Sequence, residues 1–230
     1  MISLIVPSFN EQDYIETAIR KITGFMKGYD YELIVVEEST DRTPEIVERL
    51  SARNKRIKHM HFDVRLGKGG AIEKGVEAAR GEYVVFMDAD LSTDLSSIKL
   101  IVENLPKYDV VVGSRYHPLS RSDRTVLRLL LSKAYSVCVR ALLGLFRPND
   151  LQCGMKGFKR SKAMKIIPLR NRGFFWDTEF IFYAKRLGFS IGEVPVVWVE
   201  KKVRGSGSGK LKNIIYMGKS LVKLFIRNLW

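Results

Sequence analysis

The chain has 230 residues, 46% hydrophobic and 28% charged, which suits one α/β domain with a real core and an appended C-terminal element, and excludes a low-complexity protein. Lys and Arg number 39 against 25 Asp and Glu, and the resulting +14 calls for an anionic partner: a nucleotide, a lipid phosphate, nucleic acid or an anionic membrane surface. Cys138 and Cys153 lack metal-ligand spacing and read as reduced thiols, and the longest apolar stretch, residues 125–146, is interrupted by Arg128, Lys133 and Arg140, which excludes a transmembrane span there.

Residues 2–7 read as a strand stopped by Pro7, with Ser8-Phe9-Asn10-Glu11 as the loop that follows. Met1 runs directly into that strand, so no signal peptide is expected. Apolar residues recur at helical spacing over 14–26, and a second strand over 31–36 ends in Glu37-Glu38-Ser39-Thr40-Asp41. Pro44 takes the first-turn position of the next helix. A weaker strand over 57–62 precedes Gly67-Lys68-Gly69-Gly70, which opens a helix to about residue 80. Residues 83–87 are an apolar, β-prone run that stops at Asp88-Ala89-Asp90. A helix over 94–105 and a strand over 109–113, ending in Ser114-Arg115-Tyr116, complete the first half.

This alternation predicts an α/β fold with a mostly parallel central sheet flanked by helices. Ligands of such sheets bind beyond the carboxyl ends of the strands, where Glu11, Glu37, Lys68, Asp88, Asp90 and Arg115 all fall. Asp88 and Asp90 could hold a divalent cation against a diphosphate; the alternative is that they only begin a turn and cap the next helix. The second half differs. Residues 125–146 form a leucine-rich helical pattern, 150–158 and 173–179 read as irregular connections, 180–187 as a helix and 191–199 as one strand. Residues 201–212 read as a basic glycine-rich loop. The tail, 212–230, is an amphipathic helix with Lys212, Lys219, Lys223 and Arg227 on one side and Ile214, Leu221, Val222, Phe225 and Leu229 on the other.

Taken in order, Pro7-Ser8-Phe9-Asn10-Glu11, Ser39-Thr40-Asp41-x-Thr43, Gly67-Lys68-Gly69, Asp88-Ala89-Asp90-Leu91-Ser92 and Gly113-Ser114-Arg115-Tyr116 resemble glycosyltransferase family 2, and within it the dolichyl- or polyprenyl-phosphate sugar synthases. The stretch 150–158, with Trp176-Asp177-Thr178-Glu179 and Glu193-Val194-Pro195, is most similar to the dolichyl-phosphate glucosyltransferase branch. The resemblance implies a GT-A (Rossmann-like) fold over residues 1–210, with a nucleotide-sugar half (1–116) and an acceptor- and lipid-facing half (117–210), followed by the helix 211–230. It implies inverting transfer of a sugar, glucose or mannose, from a UDP- or GDP-sugar to a dolichyl or polyprenyl phosphate, with Mg2+ or Mn2+. By motif position Pro7, Phe9 and Glu11 would border the base and ribose, with Glu37 or its neighbour as the base-side acid. Lys68 would lie beside the diphosphate, and Asp88 and Asp90 would be the metal residues. Arg115, Arg128 and Ser132 would hold the acceptor phosphate, Asp150 and Gln152 would touch the donor sugar, and Arg204 and Lys210 would close over the diphosphate. Several positions depart from the pattern. The usual paired aspartates appear as Val36-Glu37 or Glu37-Glu38 depending on register, Arg65 replaces an asparagine, Gly209 a serine, and Ser92 occupies the third metal-side position.

The residues suit that chemistry. A phosphate monoester, with a second pKa of about 6, is largely dianionic at neutral pH and needs no general base. Three histidines, His59, His61 and His117, stand in no catalytic setting. A sugar-hydroxyl acceptor would need a carboxylate base, for which Asp150 or Asp177 is the candidate; a non-catalytic nucleotide-sugar binder is a further reading. Nucleic acid ranks last as partner, because the basic residues come without an aromatic stacking platform. The basic amphipathic segments predict peripheral attachment to the cytoplasmic face of an anionic membrane. The oligomeric state is left open.

Overall fold

The computed structural model describes residues 1–199 and 209–229. Its strands are β1 (Ile2–Ser8), β2 (Tyr31–Glu37), β3 (Ile57–His61), β4 (Tyr83–Met87), β5 (Val110–Ser114), β6 (Arg121–Asp123), β7 (Met155–Lys159), β8 (Ile191–Pro195) and β9 (Val197–Val199). The helices are α1 (Ile15–Phe25), α2 (Thr43–Arg53), α3 (Gly67–Ala78), α4 (Ser96–Asn104), α5 (Val126–Leu143), α6 (Arg160–Ala163), α7 (Trp176–Arg186) and α8 (Gly209–Arg227). Seven strands form one sheet in the order β3-β2-β1-β4-β7-β5-β8, and β6 pairs with β9 in a second. The main sheet is parallel except for β7, which runs antiparallel to both neighbours.

Strand alternation divides the core. Ile5, Ile34, Val36, Val84 and Phe86 face the side covered by α3, α7 and α8, and Leu4, Val6, Leu33, Val35, Val85 and Met87 face the side of α1, α2 and α4. A continuous apolar run buried on both faces is what a parallel sheet between two helical layers requires. On the first side Trp176 stacks on Phe180 at 4.9 Å between centroids and meets Phe86 edge-on at 5.9 Å. Such aromatic pairs add about 0.5–1.5 kcal/mol each beyond their burial.

Three expectations are corrected. Residues 150–158 are not all irregular: β7 begins at Met155 and fills the centre of the sheet. Its pattern was hidden by Lys156, fully buried and paired with Asp177, and by Gly157, where a Cβ would collide with Ile101. Residues 191–199 are two strands, because β8 joins the main sheet beside β5 while β9 crosses to β6. Residues 173–179 are likewise partly helical, α7 starting at Trp176. The antiparallel sense of β7 has a consequence for the site. Met155 pairs with Met87, so the residues preceding β7 arrive at the same sheet edge as Asp88.

The tail helix docks by Leu221 and Leu224, both buried, with Tyr216 and Met217 against the same core. Leu221 therefore does not share an exposed face with Ile214 and Val222, and Arg227 turns inward to Glu179 at 2.5 Å. Residues packed on the domain are chosen by tertiary contact, which a helical projection does not contain.

Candidate active site

A cleft of about 400 Å3 opens at the carboxyl ends of β1, β2 and β4, with Pro7, Phe9, Glu11, Lys68, Asp88 and Asp90 in its wall. The loop after β1 is held by the Ser39-Thr40-Asp41-x-Thr43 stretch. The N–H of Asn10 donates to Ser39 Oγ (2.9 Å), Asn10 Oδ1 accepts from the N–H of Thr40 (2.8 Å), and the N–H of Glu11 donates to Thr43 Oγ1 (2.9 Å). Asn10 adopts φ 55°, a left-handed conformation that asparagine tolerates better than bulkier residues. The motif thus positions Glu11.

On the β2 side of the cleft the Arg65 guanidinium lies 3.4 Å from the Phe9 ring centroid and bonds Glu38 at 2.5 Å. Glu38 also accepts the N–H groups of Leu66 and Gly67, the latter at 3.0 Å. Gly67 has φ 72°, and a Cβ there would stand 2.6 Å from the Arg172 carbonyl oxygen, so this turn requires glycine. Of the two registers open in the sequence, Glu38 is the acid in the cleft wall. Glu37 is fully buried and turned to β3, where its carboxylate meets His59 Nε2 (3.0 Å) and His61 Nδ1 (2.5 Å) and accepts the Ser39 N–H (2.9 Å). Burial pushes the Glu37 carboxyl up, but these three bonds outweigh it and hold it below its ordinary value. Burial pulls His59 down, yet Glu37 and Glu48 raise it; His61 is raised chiefly by Glu37.

At the end of β4, Asp90 is held by its own turn: Oδ1 accepts the Ser92 N–H (2.8 Å) and Oδ2 the Ser92 hydroxyl (2.6 Å), across Leu91 at φ 53°. Asp88 accepts Lys68 Nζ at 2.9 Å, Lys68 reaches Asp177 at 3.5 Å, and Lys156 bonds Asp177 at 2.5 Å. Two lysines and two aspartates thus run from the cleft into the sheet. Burial pulls Lys68 down, but Asp177 and Asp88 more than compensate and keep it charged. Gly154 has no room for a side chain, since a Cβ would overlap the Asp88 carboxylate.

Glu11, Asp88 and Asp90 concentrate negative charge. Burial, then Asp90 and Asp88, push the Glu11 carboxyl up to about 7. Among the described residues no three His, Cys, Asp or Glu side chains could cage a metal unaided. A hard divalent cation held by one or two carboxylates, with its other ligands from a substrate diphosphate, fits this corner.

Beyond Gly154 lies a second group. Arg115 Nε and Nη2 donate to Asp150 at 2.7 and 2.8 Å, and the Arg115 N–H adds a third bond at 2.9 Å. Glu193 anchors the Asp150 loop by accepting the Asn149 N–H at 2.7 Å. The Asp150 carboxyl, though buried, is held below its ordinary value by Arg115. Gln152 donates to Thr178 Oγ1 (2.9 Å), and Ser132 bonds the Tyr116 hydroxyl. Arg128 is half-buried on the first turn of α5. Arg204 and the Lys210 side chain lie outside the described residues.

Pro7, Phe9, Glu11, Lys68, Asp88 and Asp90 therefore share one cleft, and Arg115, Ser132, Asp150 and Gln152 line a small crevice beside the Asp150 loop, while Glu37 stands apart from both. Lys156, Arg65 as a cleft residue and Arg124, which meets Ser132, were not anticipated. A lysine inside an otherwise apolar stretch was the one available signal, for Lys156.

The model of the family described as glycosyl transferase family 2 matches residues 3–167. The chain is 38% identical over 237 residues to glycosyltransferase AglD of Haloferax volcanii, covering 96% of this chain and 36% of that protein. It is 32% identical to the dolichyl-phosphate beta-glucosyltransferase of Dictyostelium discoideum, covering 99% and 75%, and 29% identical to the protein of that name in Saccharomyces cerevisiae, covering 96% and 73%. Thus the chain spans about a third of AglD and about three quarters of the other two. Among solved structures, glucosyl-3-phosphoglycerate synthase of Mycobacterium tuberculosis, with Mn2+, UDP and glucosyl-3-phosphoglycerate, superposes with a TM-score of 0.71 at 21% identity, covering 98% of this chain and 79% of that one. Mannosyl-3-phosphoglycerate synthase of Rubrobacter xylanophilus superposes at 0.72 and 18% identity, covering 100% and 74%. The sheet and its flanking helices are a GT-A glycosyltransferase fold. The chain belongs to glycosyltransferase family 2.

Proposed function

We propose that this glycosyltransferase transfers glucose from UDP-glucose to a polyprenyl phosphate of the dolichyl type, with inversion. The names of the relatives support the lipid acceptor and the sugar, and the UDP and Mn2+ in the structural neighbour's complex support the donor and the metal. The observation that carries the reading is the state of the acceptor-side carboxylates. A hydroxyl acceptor needs a free base, and both candidates are engaged: Asp150 by three bonds from Arg115, Asp177 by two lysines. A phosphate acceptor supplies its own charge and needs none.

Phe9, with Arg65 stacked on its ring, would border the uracil, and Glu38 fixes Arg65 and the turn at Gly67. Asp88 and Asp90 would hold Mg2+ or Mn2+, whose chemistry is to neutralise the diphosphate leaving group. Lys68 keeps the Asp88 carboxylate oriented. In this reading residues 1–116 serve the donor and 117–210 the acceptor. The lipid requires a membrane surface. Among the described residues no helix is long and apolar enough to cross one, but α5 exposes Val126, Leu127, Leu130 and Leu131, and α8 exposes Ile214, Ile215, Val222 and Ile226. With the basic residues between them these helices suit peripheral attachment, on the cytoplasmic face. Radiolabelled UDP-glucose, Mn2+ and dolichyl phosphate should yield an organic-soluble labelled lipid that Asp90→Ala abolishes. Absence of lipid product with every common nucleotide sugar refutes the assignment.

A further inference from the structure

The loop that precedes α7 supplies Gly173 and Phe174 to the wall of the cleft. A lone exposed aromatic is ordinary on a protein surface. Phe174 differs in that it is half exposed in a cavity wall and belongs to a loop tied down on three sides. Toward α3, the Arg172 carbonyl oxygen accepts the N–H groups of Gly69 (2.7 Å) and Gly70 (3.2 Å), and Glu73 accepts the Leu169 N–H (2.7 Å) and Trp176 Nε1 (2.9 Å). Toward α7, the fully buried Glu179 accepts the Asn171 N–H (2.9 Å) and its side-chain amide (2.8 Å) at Oε2. Toward α8, the other oxygen of that carboxylate accepts Arg227 Nη2 (2.5 Å).

The tail helix also touches the loop directly. The Tyr216 hydroxyl donates a long bond of 3.4 Å to Asn171 Oδ1. It also fills the space over Gly173, where a Cβ would stand 2.7 Å from the hydroxyl and 3.1 Å from Cζ. Only glycine lets the helix come so near. Because Leu221 and Leu224 seat α8 in the core, Tyr216 cannot retreat without unseating the helix. No step of the proposed transfer uses Phe174, Glu179, Tyr216 or Arg227. Yet a loop ordered before binding spares its ligand the entropy of ordering it, which raises affinity.

We infer that Phe174 is a contact residue for the nucleotide sugar, and that α8, through Tyr216 and Arg227, is the positioning element that holds it in the cleft. In the reaction proposed above, on which the assignment rests for its ligand, the ring offers a flat apolar face to the donor in the wall it shares with Gly67 and Lys68. Donor affinity is thus set in part from outside the cleft.

Calorimetric titration of the full chain with UDP, UDP-glucose and GDP tests this. Phe174→Ala should weaken the nucleotide that the wild type binds roughly two- to tenfold, the range of one aromatic contact, and Phe174→Trp should restore it. Loss with UDP as well as UDP-glucose puts the ring against the nucleotide, and loss with UDP-glucose alone puts it against the sugar; both uphold the contact. Gly173→Ala should weaken binding by a similar factor with circular dichroism unchanged. Adding Tyr216→Phe, which removes the nearest clashing atom, should recover part of that loss, a non-additivity that unlinked sites do not show. A merely structural defect would lower the titration stoichiometry and leave Kd alone. Wild-type affinity in Phe174→Ala or Gly173→Ala overturns the inference and leaves the donor reading intact. A Gly173→Ala loss that Tyr216→Phe does not reduce overturns the role of α8. Binding of GDP but not UDP-glucose, with the same losses, upholds the wall and removes UDP-glucose as donor. A wild type that binds no nucleotide overturns both.

Discussion

Replacing Gly154 by alanine tests the metal corner through a residue that is not itself a ligand. The new methyl would occupy the place of the Asp88 carboxylate, with the Asp88 Cγ only 2.7 Å away. The backbone cannot yield, because the Asp88 N–H bonds the Gly154 carbonyl oxygen at 3.2 Å and Met155 is paired with Met87 in the sheet. The carboxylate must therefore rotate away, giving up its 2.9 Å contact with Lys68. Overpacking of this kind costs about 1–3 kcal/mol, and the charge-assisted bond accounts for about 1.5–3 kcal/mol more. The second figure is an upper bound, since Asp88 is partly open to the cleft. Displacing one of the two carboxylates proposed to hold the metal should weaken divalent cation binding roughly 10–100-fold, the range seen when a ligand's support is lost. Mn2+ titration by electron paramagnetic resonance reads that directly, and circular dichroism checks the fold. Gly218→Ala is the control: a Cβ there meets nothing within 4 Å, and the change should stabilise α8 by about 0.5–1 kcal/mol. Wild-type Mn2+ affinity in Gly154→Ala would show that Asp88 does not serve the metal.

Asp150→Ala should leave buried Arg115 without its partner, costing about 3–5 kcal/mol and lowering Tm by roughly 6–20 °C in thermal denaturation. Glu37 and its histidines set a pH window for stability. The raised His59 and His61 contribute fully below 6.5 and lose that contribution as pH climbs through their folded values, while the lowered Glu37 contributes above 4.5 and fails as pH falls through its own. The Tm gap between wild type and Glu37→Gln should therefore peak between about pH 4.5 and 6.5 and narrow on either side. Glu11, pushed up to about 7, ionises as pH rises through neutrality and adds negative charge beside Asp88 and Asp90. Mn2+ affinity should rise between about pH 6 and 8, and Glu11→Gln should flatten that rise. Co-sedimentation with anionic liposomes should be lost when Leu127, Leu130 and Leu131 are changed together to serine, and retention would exclude α5 from the membrane contact.

The local pattern of the chain determined the first five strands, the helices between them and the sheet edge at which Asp88, Asp90 and Glu11 meet. Apolar runs and their breaks record how each segment buries its own surface, so they can be read without knowing the neighbours. Strand parity carried more than was taken from it: Glu37 pairs in register with His61, and His59 lies two residues before it. Which of Glu37 and Glu38 enters the cleft is thus a matter of alternation at the end of β2.

Other features only the tertiary structure decided. Lys156 looked wrong for a strand because its partner Asp177 lies 21 residues away on α7. A buried charge is acceptable in β7 only once that helix is docked. The antiparallel insertion of β7 between β4 and β5 brings the Asp150 loop to the edge that Asp88 occupies. The same assembly neutralises Arg115 and leaves Arg124 with an unmatched donor. In sequence the two arginines are alike, nine positions apart and equally charged. Their difference is where the fold places a carboxylate, and an interaction between distant residues is not encoded in the periodicity of either one.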